Sequence, residues 1–223
     1  MDEIERLFNA VGAGDAATVR AIVGRDPAAS RASNASTLHV LAFARYAGRL
    51  EILQMLIAAG PPLTVFEAAM IDRVERLREI AAGDPGAARA YSPDGFTALH
   101  FAAYFGATGA IDALLDAGAD IEARTTNFLA NMPIHAAAAG GRIDACRRLV
   151  ERGAGLNARQ HGGFMPLHTA AFHNSREMAE VFLAAGADPN GRDDEGKTPA
   201  DRAAMQGNME LAALLKARAA AAA

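Results

Sequence analysis

Tryptophan is absent, cysteine occurs once, and lysine only twice, at Lys197 and Lys216, in a chain of 223 residues. With Cys146 alone no intramolecular disulfide can form, a usage that suits a reducing compartment. Aromatic residues make up only 6% of the sequence, and Val and Ile are too scattered to give alternating runs, which argues against a large sheet. No apolar stretch reaches the roughly 20 uninterrupted residues of a spanning helix, so no membrane contact is expected. The opening Met1-Asp2-Glu3-Ile4-Glu5-Arg6 is acidic with no apolar core behind it, which gives no secretory signal and points to a cytoplasmic protein. Asn34-Ala35-Ser36 matches a glycosylation acceptor, but such a site has meaning only in a secreted chain. A formal charge of −4 supplies no basic field for phosphate backbones, which argues against a nucleic-acid binder. The excess of Arg over Lys accompanies GC-rich genomes and suggests a bacterial source.

What is abundant is alanine and leucine, both strong helix formers, within an apolar content of 51%. They recur with a long period. Thr97-Ala98-Leu99-His100, Pro133-Ile134-His135 and Pro166-Leu167-His168 repeat at intervals of roughly 33 residues. One more step of that length leads to Thr198-Pro199-Ala200-Asp201. Paired alanines follow at a fixed offset: Ala102-Ala103, Ala137-Ala138, Ala170-Ala171 and Ala203-Ala204. A turn position comes next, at Gly106, Gly141, Asn174 and Gly207, and after a second apolar segment the units close with Gly118-Ala119-Asp120, Gly153-Ala154-Gly155 and Gly186-Ala187-Asp188.

Each column has a physical reason. Thr97 and Thr198 offer hydroxyls as helix caps, and Pro133, Pro166 and Pro199 fall at the first helical position, where a missing N–H does no harm. The alanine pairs let neighbouring first helices approach closely. Gly and Asn tolerate the left-handed backbone of a helix–helix turn. Leu114-Leu115, Leu149-Val150 and Phe182-Leu183 of the second helices supply the larger core side chains. One such unit has no second face to cover this stripe, so only stacking buries it.

These residues resemble the ankyrin-repeat family, whose Thr-Pro-Leu-His signature and 33-residue period they carry from Ser92 to Ala217. The resemblance implies an all-α solenoid of stacked helix-turn-helix units joined by short β-hairpin loops. Looser units precede it: Leu7-Phe8-Asn9-Ala10 opens one, Val65-Phe66-Glu67-Ala68-Ala69 another. Between them Ser36-Thr37-Leu38-His39 opens a unit whose first helix reads about three residues longer than usual. The expectation is a single domain over 1–223 of about seven units, degenerate over 1–91 and regular over 92–217, with an Ala-rich tail at 218–223 that frays or extends the last helix. Two departures stand out. Met132 and Met165 replace the capping Thr, a loss typically worth about 1 kcal/mol. Ala130 replaces the hairpin Gly, so its loop should be irregular.

Three chemical motifs yield to simpler readings. Gly191 to Thr198 spells the phosphate-cradling G-x-x-x-x-G-K-T, but no strand precedes it, and Asp193, Asp194 and Glu195 would repel a triphosphate. The column His39, His100, His135 and His168 cannot share a metal ion across helices roughly 8–10 Å apart. The imidazoles instead bridge the loops of adjacent units, as the resemblance also implies. Cys146 falls in the second-helix core column as a small hydrophobe, and Asp112, Asp116 and Asp144 read as a solvated outer face. No catalytic constellation, metal site or cofactor site is expected, hence no enzyme.

Six of the ten phenylalanines lie between residues 96 and 172, most in columns that are usually polar and exposed. The resemblance implies a concave surface of hairpin tips and first helices that meets partners. Its columns place Phe96, Phe128, Leu129, Asn131 and Phe164 at the tips, and Phe101, Tyr104, Phe105, Thr169, Phe172 and His173 on the first-helix face. These eleven residues are the candidate site of a non-enzymatic adaptor or regulator, monomeric, binding a protein or peptide. Two alternatives remain open: an auxiliary core built from the same rings, and an aromatic pocket that sequesters an apolar small molecule or peptide.

Overall fold

The computed structural model describes residues 2–33 and 39–221. The acceptor motif Asn34-Ala35-Ser36 and the Ser36-Thr37-Leu38 opening lie outside the described residues. The chain forms two compact bodies, Met1–Glu67 and Ala68–Ala223. Among the described residues there are fourteen α-helices, arranged along the chain as seven consecutive pairs.

The first body holds α1 (Glu3–Ala13), α2 (Ala16–Arg25), α3 (Val40–Tyr46), α4 (Leu50–Ala59) and the start of α5 (Val65–Met70), within which the boundary falls. First helices pack on first helices and second on second, α1 on α3 and α2 on α4. Leu7, Val11, Val19, Ile22, Leu41 and Leu56 are fully buried between them. The expected extra length of α3 is absent. His39 is itself the N-cap and its Nδ1 accepts from Leu41 N at 3.3 Å, so the additional residues of this unit precede the helix. Glu67 takes the place that histidine holds in the regular units. Its carboxylate accepts from Thr64 N (2.7 Å) and Thr64 Oγ1 (2.9 Å) and pairs with His39 Nε2 at 3.0 Å. Burial works against its charge, but the hydrogen bonds from His39 and Thr64 hold the Glu67 carboxyl below the usual carboxylate range.

The second body continues with α6 (Val74–Gly83), α7 (Ala98–Phe105), α8 (Thr108–Asp116), α9 (Pro133–Ala139), α10 (Ile143–Glu151), α11 (Pro166–Phe172), α12 (Arg176–Ala184), α13 (Pro199–Met205) and α14 (Met209–Ala221). The first helices α7, α9, α11 and α13 stack in one row, and the second helices α6, α8, α10 and α12 in another. Ala102, Ala103, Ala137, Ala138, Ala170, Ala171 and Ala203 are fully buried in the first row, as close approach of backbones requires. Leu149 and Phe182 are sealed in the second. Gly106, Gly141, Asn174 and Gly207 all have positive φ at the helix–helix turns, and α14 runs on into the alanine tail. The expected β-hairpins are reduced. Among the described residues there are no strands, only the isolated bridges Ser33–His39 and Tyr91–Thr97, and the loops close on turn hydrogen bonds such as Thr125 N to Asn131 O at 2.9 Å.

The histidine column supplies the register. His100 Nε2 reaches Asn131 O at 3.1 Å, His135 Nε2 reaches Ala158 O at 3.0 Å and His168 Nε2 reaches Lys197 O at 3.1 Å. A carbonyl only accepts, so Nε2 carries the proton in each ring. Nδ1 is then an acceptor, and it takes the N–H of the helix's own N-cap: Thr97 N at 3.3 Å, Met132 N at 3.3 Å and Met165 N at 3.2 Å. The helices behind Met132 and Met165 therefore keep half of a reciprocal cap despite losing the hydroxyl. Turn side chains answer in the opposite direction. Arg142 Nε donates to Tyr104 O (3.2 Å), and Asn208 Nδ2 donates to Ala171 O (3.3 Å), each onto the end of the preceding first helix. Arg49 Nη2 does the same to Gly12 O in the first body, at 2.8 Å.

Desolvation pushes the His100 and His135 pKa values down to about 4, and protonation would also put an N–H against the N-cap N–H. Above pH 6.5 both native and unfolded chains are neutral at these sites and the stability is complete. As pH falls below 6.5 the unfolded chain takes up protons that the native chain refuses, until the native rings titrate near pH 4. Each of the two histidines should therefore remove about 2 kcal/mol of stability by pH 5. Urea melts at pH 7 and pH 5 read this directly. His135→Gln should be less stable at pH 7, yet its loss between the two conditions should be smaller than the wild type's by about 2 kcal/mol, the share of one histidine.

Candidate functional site

The eleven candidate residues all lie in the second body, and they divide into three groups. Phe96, Phe101 and Phe164 are half-buried, and Phe96 and Phe164 lean on the histidine column. Phe96 sits 5.9 Å from the His100 ring and 5.8 Å from Phe101, and Phe164 sits 5.7 Å from His168 with the Arg202 guanidinium 5.0 Å above its ring. Tyr104 and Leu129 are also half-buried. Phe105, Asn131 and Thr169 are buried, at 5%, 7% and 9% exposure, against the expectation that they face solvent. Phe105 turns toward the α9–α10 turn. Thr169 is too short to reach past its neighbours, like Ala136 in the same column, which is also buried. Phe128, Phe172 and His173 are exposed. Phe128 is 77% exposed at the tip of its loop, edge-on to His161 at 5.7 Å, and Phe172 is 47% exposed at the end of α11.

Two exposed methionines lie beyond the reach of the sequence reading. Met205, 58% exposed, stands one repeat after Phe172, which itself stands one repeat after Ala139, and Met209 is 66% exposed on α14. The column two residues before each turn thus reads Tyr104, Ala139, Phe172 and Met205, apolar throughout. That column alone carries the signal for Met205.

A cavity of ≈ 320 Å³ opens beside Phe105, Gly106, Arg142, Ile143 and Asp144. It takes in none of Phe101, Tyr104 or Phe172, so the rings do not gather into one concavity there. On the second helices the acidic column forms ion pairs: Arg152 spans Asp112 at 2.8 Å and Asp116 at 2.7 Å, joining α10 to α8. Cys146 is fully buried, and desolvation pushes its thiol up to about 12, which leaves no nucleophile at neutral pH. Among the described residues no group of three or more His, Cys, Asp or Glu is placed to hold a metal ion, and no helix is long and apolar enough to cross a membrane.

The Gly191–Thr198 loop is closed by its own carboxylate. Asp193 Oδ1 accepts from Glu195 N at 3.0 Å and Lys197 N at 2.9 Å, while Gly196 N donates to Asp193 O and Asp194 N to Gly162 O. Asp193 N donates to Lys197 O and Thr198 N to Asp201, so the amides of residues 193 to 198 are all spent inside the fold. Asp193 is buried against Arg202 Nε at 2.6 Å and Asp194 meets Arg159 at 2.6 Å. Burial opposes the charge on Asp193, but Arg202 and the loop amides hold its carboxyl below the usual range.

Repeat-family models match this register: "Ankyrin repeats (3 copies)" over residues 134–222 and "Ankyrin repeat" over residues 94–126. The chain belongs to the ankyrin-repeat family. No curated protein matches it. Ankyrin repeats are generally protein–protein interaction modules and typically non-enzymatic, so protein partners are the general expectation for this chain. Within that frame the loop at 191–198 is an ankyrin hairpin that happens to spell a phosphate motif. Adding ATP and magnesium should leave the melting temperature unchanged, where a ligand at 100 times its dissociation constant would add about 2.7 kcal/mol. A reproducible rise that disappears in Lys197→Ala would contradict this assignment.

Proposed function

We propose that this ankyrin-repeat protein is a cytoplasmic, monomeric adaptor or regulator that binds a protein or peptide through the concave face of hairpin tips and first helices in its second body. The reading rests on one observation: two phenyl rings stand in water, Phe128 at the loop end of the first helices and Phe172 at their turn end. Exposed aromatic rings are favoured anchors where a partner later excludes solvent. The half-buried rings Phe96, Phe101, Tyr104 and Phe164 with Leu129 extend the apolar surface between them, and Met205 continues it. His173 and His161 add polar edges. Phe105 and Thr169 serve the fold beneath. A single buried thiol fits a reducing compartment, and no cofactor, nucleic acid or membrane is required.

The two roles separate by mutation. Phe128→Ala and Phe172→Ala should each weaken partner binding by about 2 kcal/mol or more while altering folding stability by less than about 1 kcal/mol. Phe105→Ala should instead destabilise the fold by about 3–5 kcal/mol. Thermal melts of the three variants, followed by comparison of the proteins each retains from a cytosolic extract, make both measurements. Retention of the same proteins with the same strength by all three would remove the concave face as the binding site.

A further inference from the structure

Asn190 and Gly191 form the only Asn-Gly step in the sequence. Their place is a repeated one. Asn157 stands 33 residues earlier, followed by Ala158, and both asparagines tie their loop to the next helix end by the same bond. Asn157 Nδ2 donates to Gly186 O at 3.3 Å, just past α12, and Asn190 Nδ2 donates to Ala219 O at 3.2 Å, in the last turn of α14. They differ in what else holds them. Asn157 Oδ1 also accepts from Asp188 N at 2.8 Å, so both ends of that carboxamide are fixed. Among the described residues nothing donates to Asn190 Oδ1, and the Gly191 N–H has no acceptor. Asn190 is exposed.

The glycine has a packing reason. A Cβ at position 191 would meet the Cε methyl of Met165, the N-cap residue of α11. Stacking therefore keeps glycine there, and glycine leaves the main-chain nitrogen beside Asn190 unshielded. We propose that Asn190 is a self-modification site, a slow timer that unpins the end of α14. The Gly191 nitrogen adds to Asn190 Cγ and closes a five-membered imide. The Cγ–Nδ2 bond breaks, and Nδ2 departs as ammonia with the proton of the Gly191 amide. Water then opens the ring at either carbonyl, leaving an aspartyl or an isoaspartyl residue. No enzyme, metal or oxidant enters, and water is the one reagent consumed. The product has no N–H to give to Ala219 O. Its carboxylate instead sets a negative charge beside that carbonyl, at the negative pole of α14. A hydrogen bond is thus exchanged for a repulsion. At Asn157 the Ala158 methyl and the second bond both slow the same chemistry.

The test keeps the full chain at neutral pH and samples it over several weeks, by peptide mapping of amide loss and by amide hydrogen exchange of residues 215–221. Asn190 should lose its amide at least roughly tenfold faster than Asn157, and within about tenfold of the rate in a short synthetic peptide of residues 188–192, since the fold leaves its Cγ open to attack. The aged protein and Asn190→Asp should both exchange the last turn of α14 roughly fivefold faster than fresh wild type, the effect of one lost hydrogen bond. Amide loss at Asn157 as fast as at Asn190 overturns the assignment. So does loss at Asn190 far slower than in the peptide, which would mean that the fold protects the site. Exchange in Asn190→Asp at the fresh wild-type rate refutes the unpinning of α14, whatever the rate of amide loss.

Discussion

A buried neutral imidazole with one nitrogen committed to its own helix and the other to the next loop joins local structure to stacking. In His100, His135 and His168 the two bonds are made by a single rigid ring, so the start of each helix and the position of the following loop cannot vary independently. The alanine pairs allow the close approach that brings the loop within reach, and the approach in turn dries the ring. Neither half stands without the other: a wider helix spacing would break the Nε2 bond and leave a buried donor unmet. Cooperation between neighbouring pairs follows from this chemistry as much as from apolar area.

The aromatic rings of the second body divide along the same line. Those that lean on a column histidine, Phe96 and Phe164, shield it from water and belong to the machinery that keeps it neutral. Those that reach past it, Phe128 and Phe172, contribute nothing to that shielding. An exposed ring at Phe128, a positive φ at Ala130 and a buried carbonyl oxygen without a hydrogen-bond partner at Asn131 depart from the pattern of the neighbouring loops. All three occur in one turn, between Thr125 and Asn131, while the corresponding turns at Gly95 and Gly196 are conformationally relaxed.

Much of the fold was legible because ankyrin columns translate residue types into backbone demands. Glycine or asparagine at the turns, proline at the first helical position and alanine pairs in the row each follow from local geometry, and Ala130 announced its irregular loop. The site was less legible, because exposure within a column depends on neighbours from other units. Phe105 reads as a surface aromatic, yet it is buried beside the α9–α10 turn. Thr169 occupies the same column as Phe101 but is covered. The cross-repeat bonds of Arg142 and Asn208 were invisible, since each spans more than 35 residues and a lone Arg or Asn at a turn carries no local signature. The start of α3 escapes the columns for a related reason: analogy with the regular units puts His39 at the third helical position, whereas it caps the helix itself. The loop at Gly191–Thr198 shows the converse, letters without geometry, because a carboxylate inside the motif already occupies its amides.

The pair α13–α14 carries aspartate where the three pairs before it carry histidine. Asp201 accepts from Thr198 N at 3.0 Å and from Thr198 Oγ1 at 2.9 Å, completing the cap with no atom extended toward a further loop. At the third residue of α7, α9 and α11 a histidine thus couples its own cap to the following loop, whereas Asp201 in α13 and Glu67 in α5 complete the cap with a carboxylate that only accepts. A histidine in place of Asp201 would keep the Nδ1 half of that cap but turn its other nitrogen into a donor in search of a carbonyl, so the carboxylate closes a helix start without asking anything of a neighbouring loop.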